Sequence, residues 1–325
     1  MRILVTGSAG HLGEALVRVL GSEGHDVVGL DVLESAFTTV VGSIEDRALV
    51  RECVAGADAI LHAATLHKPH VSSHERQAFV DTNVTGTLNL LEAAVAAGVA
   101  RFVFTSTTSA FGRALTPPPG APAAWITEDV AHVPRNVYGA TKTAAEDFCE
   151  LVHRDHGLAC LILRTSRFFP EADDRDDVRA AYDDANIKVN ELLYRRVDLE
   201  DVVSAHRIAL KRAPEIGFGR YIVSATTPFT REDMTELRSD APAVVRRRFP
   251  GCEEVYARLG WRMFPSIERV YDNARARSEL GWAPRYDFGS VLGLLEAGEA
   301  PRSALASVVG AKGYHVTTTG PYTVR

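Results

Sequence analysis

The chain has 325 residues, of which 46% are apolar and 24% charged, an ordinary folded composition that excludes disordered and collagen-like structure. With 36 basic and 42 acidic residues the net charge is −6, so a nucleic-acid backbone is a poor partner. The four dispersed cysteines, Cys53, Cys149, Cys160 and Cys252, form no C-x-x-C, which fits a reduced, cytoplasmic setting without a zinc knuckle or disulfide framework.

The strand-like run Ile3 to Val5 starts almost at once, with no basic leader or long apolar core ahead of it, so secretion is not expected. Even the apolar stretch Leu88 to Phe104 is broken by Asn89, Glu92, Gly98 and Arg101, so no membrane span is expected either. In chain order, short β-rich runs at Ile3–Val5, Val27–Leu30, Ala59–Leu61, Phe102–Thr105 and Leu161–Arg164 alternate with helical patterns. Those patterns cover Leu12–Leu20, Ala48–Val54, Asn83–Ala97 and Val137–His156, and Gly98 and Gly157 end the last two. This alternation predicts an α/β fold with a doubly wound parallel sheet.

After residue 170 the rhythm weakens. The acidic run Glu171 to Asp177 reads as a loop, with Asp173, Asp174, Asp176 and Asp177 solvated, Asn186 to Leu193 as helix-like, and Asp240 to Pro250 is a Pro/Arg-rich stretch. A helix over Asp198–Leu210 returns to the main domain, with Asp201 near its start where a carboxylate suits the helix dipole. The expected organisation is a main domain over 1–169 rejoined by 197–225, a smaller C-terminal lobe from 170–196 and 226–310, and a tail over 311–325 without assigned structure.

The densest chemical signal is Thr6-Gly7-Ser8-Ala9-Gly10-His11-Leu12-Gly13, between the first strand and first helix. Glycines at 7, 10 and 13 permit a tight turn, a close approach of pyrophosphate to backbone N–H groups, and close helix–strand packing. Asp31, 18 residues beyond Gly13 at the end of the second strand, can accept both ribose hydroxyls and would repel a 2′-phosphate; Val32 and Leu33 supply no Arg for one. The pattern therefore favours NAD over NADP, against the plainer reading of a glycine turn with a capping Asp. Tyr138 and Lys142 stand four apart near a helix start, on one face. A nearby ammonium favours phenolate, so Lys142 makes Tyr138 a usable base, unless the two are simply an exposed pair.

Taken together, TGSAGHLG, Asp31, LHAAT at 61–65, NVTGTLNLLEAA at 83–94, RFVFTSTTSAFG at 101–112, YGATK at 138–142, VDLEDVVSAH at 197–206 and NARARSELGW at 273–282 resemble an extended short-chain dehydrogenase/reductase of the NAD-dependent epimerase/dehydratase family. The resemblance implies a Rossmann-type sheet, a smaller substrate-binding lobe, and NAD held by Gly7, Gly10, His11, Leu12, Gly13, Asp31, Ser43, Ile44, His62, Ala63, Ala64, Tyr138 and Lys142. It places Thr107 on the substrate hydroxyl, Tyr138 as proton acceptor and Lys142 on the nicotinamide ribose. Gly42-Ser43-Ile44 stands where relatives carry Gly-Asp-Ile beside the adenine.

Departures narrow the reaction. Thr108-Ser109 replaces the acidic pair of family dehydratases, which disfavours dehydration. Thr165-Ser166-Arg167 follows Arg164 where an Asn is frequent, so Arg167 is a candidate for an anionic group, with an ion pair to the acidic loop as the plainer alternative. Arg262 matches loosely a diphosphate-binding Arg, and only 37 positions separate Arg164 from Asp201, which favours a compact substrate. His67, His70 and His74 have metal-like spacing but no carboxylate or cysteine in register, so no metal is assigned and His67 joins Thr108, Arg167 and Arg262 as a candidate substrate contact. The proline segment from Thr116 to Pro122 is expected to border the substrate mouth.

The main expectation is NAD-dependent oxidation of a secondary alcohol carbon on a sugar, with sugar-nucleotide epimerase-type chemistry. Alternatives are a dehydrogenase of a free sugar, uronate or small alcohol that releases NADH, and a non-catalytic dinucleotide-binding protein. Relatives dimerise through the helices Asn83–Ala97 and Val137–His156; here Leu88, Leu91, Val95, Phe148, Leu151 and Val152 are offered, as interface or as core.

Overall fold

The computed structural model describes residues 1–313; the expected tail beyond them lies outside the described residues. Two compact units emerge. The first contains Met1–Gly112, Pro134–Thr165 and Val202–Tyr221, the second Arg113–Val133, Ser166–Asp201 and the chain from Ile222 onward. The chain thus changes unit at residue 165, ahead of the expected 169, and 113–133 leaves the first unit. The reason is a pairing that no local pattern records, because Ala124–Ile126 lies beside Arg269–Tyr271.

The first unit is built on strands β1 (Arg2–Thr6), β2 (Asp26–Asp31), β3 (Val40–Val41), β4 (Ala59–His62), β5 (Arg101–Thr107), β7 (Ala159–Thr165) and β8 (Phe218–Val223, whose last two residues pass to the second unit), in the order β3-β2-β1-β4-β5-β7-β8. Another short strand, β6 (Ala124–Ile126), belongs to the second unit. The pairings β1–β2, β1–β4, β2–β3, β4–β5 and β5–β7 are parallel. Order reverses at β1, which makes the carboxyl end of that strand the crevice in which doubly wound sheets bind ligands. Apolar runs such as Ile3-Leu4-Val5 and Leu161-Ile162-Leu163 are wholly buried, as strands covered on both faces must be.

Helices flank the sheet at His11–Ser22, Arg47–Val54, Gly86–Ala97, Val137–His156 and Leu199–Ile216. Asp46 and Asn136 cap two of them by accepting backbone N–H groups, and Gly98 and Gly157 close two with left-handed backbone. The helix expected from Asn83 instead starts at Arg76 and passes through a π-turn at Asp81–Thr85 before Gly86. Of the apolar residues offered for a helix–helix interface, Leu91 and Val152 are core, whereas Leu151 is 38% exposed. Among the described residues no helix is long and apolar enough to cross a membrane.

The second unit has its own core around Met234, Leu237, Val244, Tyr256, Phe288 and Val291. Its strands β6 and β9 (Arg269–Tyr271) run parallel. The Pro/Arg-rich stretch after Asp240 is a helix, Ala241–Arg248, capped by Asp240, which accepts the Ala243 N–H at its start. The acidic run 171–177 is not a plain solvated loop: Glu171 and Asp173 are buried, although Asp176 and Asp177 are exposed. Asp201 stands in the first turn of the helix Leu199–Ile216, as expected. Its carboxylate accepts the Arg285 and Tyr286 N–H groups at 2.8 and 2.9 Å.

Candidate active site

The loop between β1 and the helix His11–Ser22 is folded on itself. Gly7 donates to Leu30 O at 2.8 Å, and Gly10 donates to Gly7 O at 3.0 Å. Gly7 has φ +74°, and a Cβ there would lie 2.7 Å from Ala64 N and 2.9 Å from the Ala63 carbonyl carbon. At Gly13 a Cβ would meet Gly7 O at 1.9 Å, so only glycine lets the helix lie this close to the turn. Gly10 caps the helix with no side-chain acceptor, which leaves the first-turn N–H groups to an anion. Leu12 and His11 are buried just inside it.

Asp31 ends β2 and ties the loop down. Its Oδ2 accepts Ala9 N–H at 3.0 Å and its Oδ1 accepts Leu33 N–H at 2.9 Å, which fixes the carboxylate beside the glycine turn. Ser43 Oγ accepts the Glu45 N–H. Ile44 has its side chain in the core, pressed on Gly86, where a Cβ would come within 2.5 Å of it, so an adenine contact at this position would fall to backbone. A cradle that a Cβ would fill, an uncapped helix start and an acid at the second strand end together fit NAD.

Past β4, Ala63 donates to Thr6 O and Ala64 to Thr6 Oγ1. His62 is a bolt under this loop. Thr87 donates to Asn83 O, so it accepts from His62 Nε2 at 2.9 Å, and Nδ1 accepts from Thr6 Oγ1 at 2.7 Å. Burial and then the Lys142 charge push its pKa well down, so the ring stays neutral.

Asn83, which sequence reading took only as a helix start, organises the next turn. Its Oδ1 accepts Thr65 Oγ1–H at 2.9 Å and Leu66 N–H at 2.8 Å, while Nδ2 donates to Leu66 O and to Thr141 Oγ1 at 3.1 Å each. The π-turn carries this residue inward, a frequent use of such bulges. His67 and His70 cap each other reciprocally, and the His67 ring centroid is 6.2 Å from that of Tyr138. His70 and His74 stack edge-on at 5.0 Å.

Thr107 ends β5, and Tyr138 and Lys142 lie four apart on the helix Val137–His156; all three are buried. The Thr107 hydroxyl hydrogen-bonds Tyr138 and favours its ionised form, against burial that pushes the phenol up to about 12. Lys142 Nζ donates to Thr105 O at 2.7 Å and sits 4.0 Å over the Phe104 ring. Burial lowers its pKa to about 7, and the Glu146 carboxylate opposes that fall. By itself the protein therefore holds Tyr138 as the neutral phenol, four residues from an amine that titrates near neutrality. Thr108 is buried at the first position of the short turn Thr108–Leu115.

In the second unit Arg167 pairs with the acidic loop, the plainer of its two expected readings. Its guanidinium lies 2.8 Å from Asp173 and 3.4 Å from Glu191, inside a cluster completed by Arg195 and Arg196. Burial raises the pKa of Glu191, but the three guanidiniums prevail and hold it at about 2. Arg262 has a different setting, an open cavity of about 380 Å³ that it lines with Arg179, Tyr182 and Asn186. Its guanidinium lies 4.9 Å over the Tyr182 ring and donates to Ala181 O. Asn186, only 1% exposed, turns its Oδ1 to Arg262 N–H, and its Nδ2 has no protein acceptor. Asn186 is a second site residue that sequence reading missed, since nothing local distinguishes it from other helix residues. Among the described residues no three His, Cys, Asp or Glu side chains converge to hold a metal ion.

Comparison with known proteins agrees with this geometry. The chain is 36% identical over 184 residues to the low-salt glycan biosynthesis protein Agl12 of Haloferax volcanii, covering 52% of this chain and 57% of that one. It is 29% identical over 329 residues to the UDP-glucose 4-epimerase of Rhizobium meliloti, covering 89% and 94%. A solved short-chain dehydrogenase/reductase superfamily protein from Agrobacterium tumefaciens, with bound NAD, superposes with a TM-score of 0.66 at 25% identity over 91% of this chain and 96% of that one. A family model described as the NAD dependent epimerase/dehydratase family matches residues 3–217, and this chain belongs to that family.

Proposed function

We propose that the protein oxidises a secondary alcohol carbon of a sugar nucleotide and returns the hydride to the opposite face, an epimerase-type reaction. The observation that carries this reading is the buried Thr107, Tyr138 and Lys142 set beside a dinucleotide cradle, with Thr108-Ser109 in place of an acidic pair. Bound NAD supplies a hydride acceptor and a positively charged ring. Thr107 holds the substrate hydroxyl, Tyr138 takes its proton and gives it back, and Lys142 holds the ribose and stabilises the phenolate. Thr108 and Ser109, which follow Thr107, offer no carboxyl of the kind that elimination of water needs. In the second unit, Arg262 and the Asn186 Nδ2, which has no protein acceptor, form a donor set suited to a diphosphate, beside an Arg179 that is paired with Asp176. The similarity to a UDP-glucose 4-epimerase over nearly the whole chain supports the same reading.

A second reading is favoured by Arg167. With that guanidinium neutralised and no Asn following Arg164, one expected diphosphate contact is lacking, which suits a dehydrogenase of a smaller sugar that releases NADH. Denaturing the fresh protein and measuring released NAD⁺ and NADH per chain separates the two, because an epimerase keeps its nucleotide through the cycle. Near-stoichiometric nucleotide together with interconversion of UDP-glucose and UDP-galactose, or of another sugar-nucleotide pair, is the expected result. An empty site with substrate-dependent NADH release overturns it. A cytoplasmic homodimer joined through the helices Gly86–Ala97 and Val137–His156 completes the proposal, and a monomer mass in light scattering contradicts it.

A further inference from the structure

Below the catalytic set lies a buried charge pair that the reaction just proposed does not use. Glu146, one turn beyond Lys142, is fully buried. Its carboxylate accepts the Ser106 hydroxyl at 2.5 Å and the Arg164 guanidinium at 2.8 and 3.1 Å, and Arg220 Nε lies 3.4 Å away. Ser106 precedes Thr107, and its carbonyl accepts the Thr165 hydroxyl at 2.9 Å. Glu146 therefore joins the catalytic helix, the end of β5 and β7 at one carboxylate.

We propose that Glu146 is a positioning residue that keeps Lys142 protonated at working pH, with Arg164 setting how much of its negative charge Lys142 feels. The inference rests on the reading that Lys142 acts as an ammonium beside the cofactor ribose. A carboxylate one helical turn from a buried amine stabilises the charged form strongly, because little solvent screens the pair. Arg164 shares that carboxylate, so removing either partner alters the field at Lys142 in opposite directions. The other groups facing Lys142 are Cys149 on its own helix, the Thr105 carbonyl and Phe104 ring on β5, and His62 on β4; Tyr138 stands four residues away on the same helix, Arg164 on β7 and Arg220 on β8 act through Glu146, and Cys160 on β7 acts through Cys149. Burial lifts Tyr138 and Cys149 and lowers His62, which moves all three away from neutrality, whereas Lys142 is brought to about 7.

The test is NAD⁺ affinity against pH by calorimetry, for the native chain and for Glu146→Gln, Arg164→Met and Lys142→Met. The native affinity is expected to fall as pH rises through the Lys142 titration, and Lys142→Met to abolish that fall. In Glu146→Gln the fall moves to lower pH by about one unit or more, and in Arg164→Met it moves to higher pH. A purely architectural pair would weaken binding in both variants without moving the fall in either. If Glu146→Gln does not fold, the double variant Glu146→Gln/Arg164→Met replaces the pair with neutral groups, and its fall is expected below the native one. A fall at the native pH in the Glu146 variants, or one that survives in Lys142→Met, overturns the inference. Because binding and not sugar turnover is read, a chain that epimerises no sugar nucleotide can still pass, and the two failures are distinct.

Discussion

Lys142 and His206 end on the same residue. The Lys142 ammonium donates to the Thr105 carbonyl at 2.7 Å, and the Thr105 hydroxyl donates to His206 Nε2 at 2.8 Å, while His206 Nδ1 donates to Val202 O at 2.8 Å. Thr105 thus couples the strand that carries Thr107 to a buried imidazole that must stay neutral to accept.

That coupling makes acid stability testable. Burial lowers the His206 pKa from 6.5 to about 4, with its Val202 contact opposing, so the folded state refuses a proton that the unfolded chain accepts. Stability is present above 6.5 and lost as pH falls toward 4, by about 3 kcal/mol in total for this group. Urea unfolding at several pH values should show His206→Gln less stable than native at pH 7, with a shallower loss between pH 6.5 and 4. An unchanged slope would remove His206 as the cause.

Gly13 tests the cradle. Because a Cβ would sit 1.9 Å from Gly7 O, Gly13→Ala must push the turn off the helix. NAD⁺ affinity is expected to drop on the order of 100-fold, with the far-ultraviolet circular dichroism preserved. Gly21 on the same helix has open space, so Gly21→Ala should bind normally.

How much of this was legible in the sequence follows from range. The β1 strand, the glycine turn and Asp31 lie within about thirty residues and carry their own periodicity, so both fold and cofactor could be read from them. Two-residue β3 was invisible because two residues carry no periodicity, and the β6–β9 pair because pairing across more than a hundred positions leaves no local pattern. Asn83 turned inward through a π-turn that no propensity announces. The ion pair of Arg167 with the acidic loop could be read as an alternative because Asp173 is six residues away, whereas Glu191 becomes its neighbour only on folding.

The second-unit cavity predicts a split between binding and chemistry. Removing the Arg262 guanidinium should raise KM for a nucleotide-diphosphate substrate by about 10- to 100-fold, the worth of a charge-assisted contact, with kcat nearly unchanged. Asn186→Ala should act in the same direction. Equal losses in kcat for Arg262→Ala would place that residue in the chemical step instead.

Tyr138→Phe tests the central claim most directly, with NAD⁺ binding by calorimetry and sugar-nucleotide turnover measured on the same preparation. The phenol is buried, hydrogen-bonded to Thr107 and four residues from Lys142, so its loss should leave NAD⁺ affinity within about threefold and cut turnover by ~10²–10⁴-fold. Turnover that persists at the native rate would show that the proton leaves by another route and that this constellation is not the active site.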